Sequence, residues 1–193
     1  MAEWDALQVE RMVTVAWALW TSRNEVWTRG AKKNVRKIVN NALEYLAEYQ
    51  AAFVGVLVRD AASKTIGALS KKIWAPLKAV EVEAKAVETG LQFTKDLLIH
   101  DFILESDSLL LTNALKELSP PPSTVVAIIY SSLSVSREFR QVEFSHVCRQ
   151  GNKPVHLLAK YAQDIDDFSV WLEEDPCFII QALLQYVNNA SMV

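Results

Sequence analysis

The stretch Asp101-Phe-Ile-Leu-Glu-Ser-Asp-Ser108 decides how the rest of the chain is interpreted. Its short apolar run ends in acidic and serine residues, and a helical pattern begins immediately afterwards. This predicts a buried strand followed by a helix. Such a strand would deliver the carboxylate of Asp107 to the edge of a sheet, where open α/β sheets place their ligands. The alternative interpretation is that Asp107 or Ser108 only caps the helix that follows.

The composition is that of a folded protein without a strong electrostatic bias. The chain has 193 residues, of which 51% are hydrophobic, and a formal net charge of −3. This length suits one domain with extensions. The acidic balance argues mildly against tight binding of nucleic acid, because neutralisation of phosphates supplies much of that affinity.

The same sequence predicts a soluble, intracellular protein, with no distinction between nucleus and cytoplasm. No apolar run approaches the length of a bilayer span, so we expect no membrane association. The N-terminal region lacks the layout of a signal peptide. Cys148 and Cys177 stand alone in the sequence, which favours reduced thiols.

The N-terminal region predicts two amphipathic helices arranged as a hairpin. Apolar residues recur at helical spacing over residues 4–27 and again over residues 34–49. The first of these helices carries Trp20 in its apolar stripe, and Trp17 and Trp27 add aromatic area that needs a surface to cover it. We therefore expect this helix to contact a protein partner or to self-associate.

Strand and helix patterns alternate in the rest of the chain. Phe53–Val58 is a continuous apolar, β-branched run, which predicts a strand buried on both faces. Val126–Leu133 fits a helix, although its β-branched content leaves a strand open. The predicted strands lie at residues 53–58, 65–74, 101–107 and 141–148. The predicted helices lie at residues 77–98, 108–118, 126–133 and 154–162.

Several stretches in this order resemble one family. The RNase H-like domain of plants is similar in the motifs Val82–Leu91, Ile103–Asp107, Phe144–Asn152 and His156–Ala159. That domain is often found at the end of non-LTR retrotransposon reverse transcriptases and in host genes derived from them. Trp17–Asn24 and Trp171–Pro176 resemble the segments that precede and follow it, so the resemblance covers nearly the whole chain.

The resemblance implies an α/β fold, namely a mixed sheet flanked by helices, with an N-terminal helical extension. It divides the chain into a helical segment on the reverse-transcriptase side (1–51), an RNase H-like domain (52–165) and a C-terminal tail with a short helix (166–193). The implied partner is an RNA–DNA hybrid or another nucleic acid. The implied activity is endonucleolytic hydrolysis of the RNA strand, with Mg²⁺ or Mn²⁺ as cofactor.

The resemblance also assigns roles to four residues. Glu83 matches the metal-binding carboxylate on a helix, and Asp107 matches the one at a strand end. His146 matches a mobile histidine that assists proton transfer or product release. His156 stands where active relatives carry a further acid. Clustered carboxylates suit this chemistry, because hard Mg²⁺ prefers oxygen ligands and paired ions activate water while stabilising the leaving oxygen.

One departure from the family pattern limits the expected activity. The family's first strand carries its first catalytic Asp, but no Asp occurs here between Asp5 and Asp60. The strand itself is also missing from the predicted order, which leaves three alternatives. Either residues 47–52 substitute for it, or the hairpin of strands 53–58 and 65–74 pairs directly with the strand at 101–107, or the folded protein is poorly stable. With Glu83 and Asp107 as the remaining metal ligands, we expect weakened metal binding and weak or absent catalysis.

The alternative function is a non-catalytic module that interacts with nucleic acid or protein. A nucleic-acid-binding module needs basic side chains that contact phosphates. The sequence offers Lys71, Arg149 and Lys153 for this role.

Overall fold

The computed structural model describes residues 5–29 and 34–184. The chain divides into two compact units, Met1–Ala51 and Ala52–Val193, and each is described here by itself. None of the described helices is long and apolar enough to cross a membrane.

The first unit is the helical hairpin predicted from the sequence. Helix α1 (Ala6–Arg29) packs against helix α2 (Val35–Tyr49), and Ala42 and Leu46 are buried in the contact. The predicted apolar stripe of α1 lies at the surface of this unit, since Trp17 is 58% exposed and Trp20 is 62% exposed.

The second unit begins with an antiparallel hairpin. Strand β1 (Ala52–Arg59) pairs with strand β2 (Thr65–Ile73). The Asp60 carboxylate closes the connection by accepting hydrogen bonds from the backbone N–H groups of Ala62 and Lys64. Both strands of the predicted hairpin are thereby confirmed.

A second, two-stranded sheet is formed by the strands that follow. Strand β3 (Asp101–Ser106) pairs in parallel with strand β4 (Gln141–His146). Arg140, just before β4, makes a two-pronged ion pair with Asp101, which holds the starts of the two strands together. These two predicted strands are also confirmed, but the prediction that β3 is buried is wrong, because its residues alternate between exposed and half-buried and Ile103 is 60% exposed.

The sheets remain separate in the part of the chain that the structure describes, because β1 and β3 do not pair. The expectation that the hairpin pairs directly with the strand at 101–107 is therefore wrong. Residues 47–52 do not substitute for a strand between them either. Residues 47–49 continue α2, and Ala52 is already the first residue of β1.

Four helices cover the two sheets. They are α3 (Ala79–Asp96), α4 (Leu109–Leu115), α5 (Val126–Ser136) and α6 (Lys153–Tyr161). Residues 126–136 are thus helical, and the strand left open for them is excluded. The core of this region joins α3, α4 and α5 to the inward faces of β3 and β4, through Ala84, Val87, Leu91, Leu111, Leu115, Ile129, Phe102, Leu104 and Phe144.

The tail contributes a strand that the sequence patterns did not predict. Strand β5 (Phe168–Leu172) pairs antiparallel with β2, so the first sheet has the order β1–β2–β5. Trp171 packs on one face against Tyr161 and Phe178. Residues 180–184 are helical, and the rest of the predicted last helix lies outside the described residues.

Strand β1 lies between two helices. On one face, Val56 lies next to Gly90 of α3. On the other face α6 approaches so closely that a Cβ atom on Gly55 would lie 2.3 Å from the carbonyl oxygen of Val155. Val54 and Gly55 are buried, and the second half of the strand is half-buried. The prediction of a strand covered on both faces is confirmed.

The close approach at Gly55 predicts a large difference between two matched substitutions. Gly55→Ala should lower the free energy of unfolding by about 3 kcal/mol, because the backbone of α6 must move to admit the methyl group. Gly90→Ala should raise it by about 0.5–1 kcal/mol, because the nearest atom to the added Cβ is at 3.9 Å and alanine favours the helix. Urea denaturation measures both, and equal effects would contradict the packing of α6 on β1.

Candidate functional site

Asp107 lies just beyond β3, at the carboxyl edge of the parallel sheet. Its Oδ1 accepts a hydrogen bond from Nδ2 of Asn152 at 3.0 Å, and its Oδ2 lies 3.0 Å from Nε2 of His156. The Asp107 side chain is only 18% exposed. Ser108 occupies the N-cap position of α4, and no side chain caps that helix. The interpretation of Asp107 as a helix cap is therefore wrong.

The two partners of Asp107 are positioned by the first turn of α6. The His156 backbone N–H donates to the Asn152 carbonyl oxygen, so the two side chains are one helical turn apart. Pro154 fits the first turn, where a missing N–H costs nothing. Leu158 is fully buried on the sheet and anchors the helix. The Asp107 carboxylate thus contacts a rigid helix start.

His146 lies at the same edge as Asp107. It is the last residue of β4 and stands opposite Ser106 in the parallel register. The Val147 N–H donates to the Ser106 carbonyl oxygen at 3.0 Å, which extends the pairing to the end of both strands. The exposed His146 and the half-buried His156 therefore both belong to the region around Asp107.

Glu83 lies on α3 and is half-buried. Among residues 5–29 and 34–184, no group of three or more His, Cys, Asp or Glu side chains is arranged to hold a metal ion. A pair of divalent ions needs several clustered carboxylates. The donors near Asp107 are an amide and an imidazole, and an imidazole is a poor ligand for Mg²⁺. This donor set does not fit a two-ion site.

The basic residues divide into two groups. Arg149 is exposed in the turn before α6, and Lys153 is the first residue of that helix, so both lie beside Asn152. Lys71 stands opposite Val54 in the register, on the face of the sheet that α3 covers. Since α6 lies on the opposite face, Lys71 is not brought together with Arg149 and Lys153.

Asn152 is the site residue that sequence reasoning missed. The sequence places it at the end of the motif Phe144–Asn152 and assigns it no role. An asparagine at an N-cap position ordinarily accepts a hydrogen bond from the helix backbone, but here its amide donates to Asp107 across 45 residues. Nothing in the local pattern distinguishes these two uses of the side chain.

Comparison with protein-family models matches residues 40–162 to the family described as reverse transcriptase-like. The chain belongs to this family. Its RNase H-like domain is the part to which the four motifs correspond. The search of the curated proteins found no significant match.

One of the similar solved structures supports the fold. The N-terminal RNase H domain of a Mycobacterium tuberculosis protein, solved as a fusion with maltose-binding protein, superposes with a TM-score of 0.52 at 16% identity. The match covers 59% of this chain and 91% of that one. RNase H1 from the archaeon Halobacterium salinarum matches at 17% identity with a TM-score of 0.46, covering 59% of this chain and 96% of that one. The fold predicted from the sequence, a mixed α/β arrangement of the RNase H type, is confirmed.

The contact between Asn152 and Asp107 predicts a measurable coupling. Asn152→Ala should lower the free energy of unfolding by about 1 kcal/mol, because a half-buried carboxylate loses a donor. In a double-mutant cycle with Asp107→Ala the two effects should be non-additive by a similar amount. Paired with Glu105→Ala, on the exposed face of β3, the effects should add. Additivity in both cycles would contradict the contact.

Proposed function

We propose that this chain is an RNase H-like domain of retroelement origin, from a plant lineage, that binds an RNA–DNA hybrid or a related nucleic acid. Its cleavage of the RNA strand is weak or absent. The family supplies the first part of this proposal, since the reverse transcriptase-like match spans residues 40–162. The geometry around Asp107 supports the second part.

The observation that carries the proposal is the use of both Asp107 oxygens inside the protein. One accepts a hydrogen bond from Asn152, and the other is held by His156. Each oxygen keeps a further lone pair, so a metal ion bound by Asp107 would share the carboxylate with these protein contacts. Turning the carboxylate towards an ion would strain them, and a donor in a partly dry site is costly to leave unpaired.

The metal ligands that we propose remain Glu83 and Asp107, which would hold Mg²⁺ or Mn²⁺ only weakly. When bound, such an ion would polarise a phosphate oxygen or activate water. Among the proposed catalytic residues, His146 is exposed at the sheet edge and suits proton transfer or product release. His156 holds Asp107 where active relatives offer an acid.

A cleavage assay on a labelled RNA–DNA hybrid tests the catalytic part. With Mg²⁺ or Mn²⁺, wild-type protein should cleave no faster than Asp107→Asn or Glu83→Gln. The physical reason is that the carboxylates of such a site act as a unit, so the absence of the family's first catalytic Asp removes most of the rate enhancement.

Glu105→Gln is the matched control, because it changes an exposed acid on the same strand. Cleavage by the wild type and by Glu105→Gln that disappears in Asp107→Asn would show an active enzyme and refute weak or absent catalysis.

The phosphate contacts proposed for Arg149 and Lys153 predict a salt-dependent binding affinity. Fluorescence anisotropy with a labelled hybrid should show affinity falling as salt rises. Arg149→Ala should reduce the slope of log affinity against log salt by about 1. Lys71→Ala tests the third residue, which lies on the other face of the sheet.

Lys64→Ala is the control, because Lys64 is exposed in the turn of the β1–β2 hairpin. An Arg149→Ala slope equal to that of Lys64→Ala would argue against the proposed interface.

Protein interaction is the second candidate function, and the exposed stripe of α1 favours it. Val13, Trp17 and Trp20 are each more than half exposed and recur at helical spacing. Such an apolar stripe marks an interaction surface. If α1 self-associates, sedimentation velocity of the full chain should show oligomers that Trp20→Ser reduces. A chain that remains monomeric at high concentration would contradict self-association, and the partner of the stripe would then be a different protein.

A further inference from the structure

Among the described residues each sheet of the second unit has an edge strand at either end, and helix α3 contacts one edge strand of each, β1 and β3. Strand β1 pairs with β2 along one edge, and β3 pairs with β4 along one edge. Backbone hydrogen bonds outside the regular elements do not reach the other edge of β1 between Ala52 and Val58, or the other edge of β3. A lone two-stranded parallel sheet is also unusual, since parallel strands are ordinarily found inside larger sheets.

The open edge of β1 is not a solvated one. Successive residues of a strand direct their backbone groups to opposite edges. Val54 is 1% exposed and its neighbour Gly55 is buried, so one of these two residues directs an N–H and a C=O into a dry, unpaired position. Natural edge strands carry charges, prolines or bulges that discourage pairing. Ala52–Val58 contains neither a charged residue nor a proline.

Helix α3 spans the space between the two open edges. It contacts β1 where Gly90 lies beside Val56, and it contacts β3 through the core cluster that includes Val87 and Leu91 and against which Leu104 packs. A helix is about 10 Å wide, and neighbouring strands lie about 4.8 Å apart. One helix in contact with both edges therefore covers a gap of about one strand.

We propose that this gap accepts one extended segment of another polypeptide, which completes a single sheet of order β5–β2–β1–segment–β3–β4. The segment would add main-chain hydrogen bonds on both of its edges, a form of strand addition. Its chemistry follows from its surroundings. About six residues match the length of β3, apolar β-branched residues face α3, and the segment contains no proline and no charge.

A second folded copy of this chain does not fit the gap. The inserted strand needs two free edges, whereas each described strand already pairs along at least one edge. The β1 strand of a copy would also bring helices on both faces, because α6 lies directly against Gly55. The occupant is therefore an extended segment without tertiary structure of its own. This inference does not depend on the proposed function.

Hydrogen–deuterium exchange with a defined peptide tests the proposal. The probe is an acetylated peptide with the sequence Lys-Lys-Thr-Val-Thr-Val-Thr-Val, and the matched control replaces its two central residues with proline. The probe, and not the control, should slow exchange about tenfold or more in residues 52–58 and 101–106 together. Strand β5 provides an internal comparison, because its outer edge is also open among the described residues.

Protection of residues 168–172 without the other two segments would show simple addition at an outer edge and would overturn the proposal. Protection of β1 alone would overturn it as well.

A second measurement does not require a free peptide to bind tightly, because the segment is part of the same chain. The same Thr-Val segment is fused to the C-terminus of the full chain through a long Gly-Ser linker. Insertion should raise the Tm by about 5 °C or more relative to the fusion with the proline-containing segment. Equal Tm values for the two fusions, together with unchanged exchange in β1 and β3, would rule out an acceptor gap. Sedimentation of the unfused chain checks that the protection does not arise from self-association.

Discussion

Side-chain packing, and not backbone pairing, holds the two sheets of the second unit together. Helix α3 joins them through two adjacent faces. Its residues Val87 and Leu91 belong to the core cluster against which β3 packs, and Gly90 lies beside Val56 of β1. In a continuous sheet a ladder of hydrogen bonds would fix strand positions directly. Here that task falls to α3, so its small and apolar residues determine whether the unit stays in one piece.

Helix α6 provides the second connection between the sheets, and this gives Asp107 a structural role. The body of α6 rests on Gly55 of β1, and its first turn holds the carboxylate that follows β3. The contacts of Asp107 with Asn152 and His156 therefore link the end of one sheet to a helix packed on the other. Asp107, which we propose as a metal ligand, therefore also connects two parts of the fold.

Much of the fold could be predicted from the sequence because its signals are local. The continuous apolar run at 53–58 and the helical pattern at 77–98 are both local, and they fall where the structure has β1 and α3. The strand β5 was missed because it is only five residues long and follows a run of acidic residues, and because its apolar residues Phe168, Val170 and Leu172 lie on an exposed face. Pairing between β1 and β3 was an open question because it depends on residues far apart in sequence, which no local pattern reports.

In the candidate site, too, local features could be predicted from the sequence and long-range contacts could not. The position of Asp107 at a sheet edge follows from a short local pattern, whereas its partners come from a helix that begins 45 residues later. The amide of Asn152 and the imidazole of His156 hold the carboxylate inside the protein, so a cation would have to share it with them. These contacts do not involve Arg149 or Lys153, whose side chains are exposed beside Asn152. The contacts that weaken a metal site are thus compatible with Arg149 and Lys153 holding a phosphate backbone beside it.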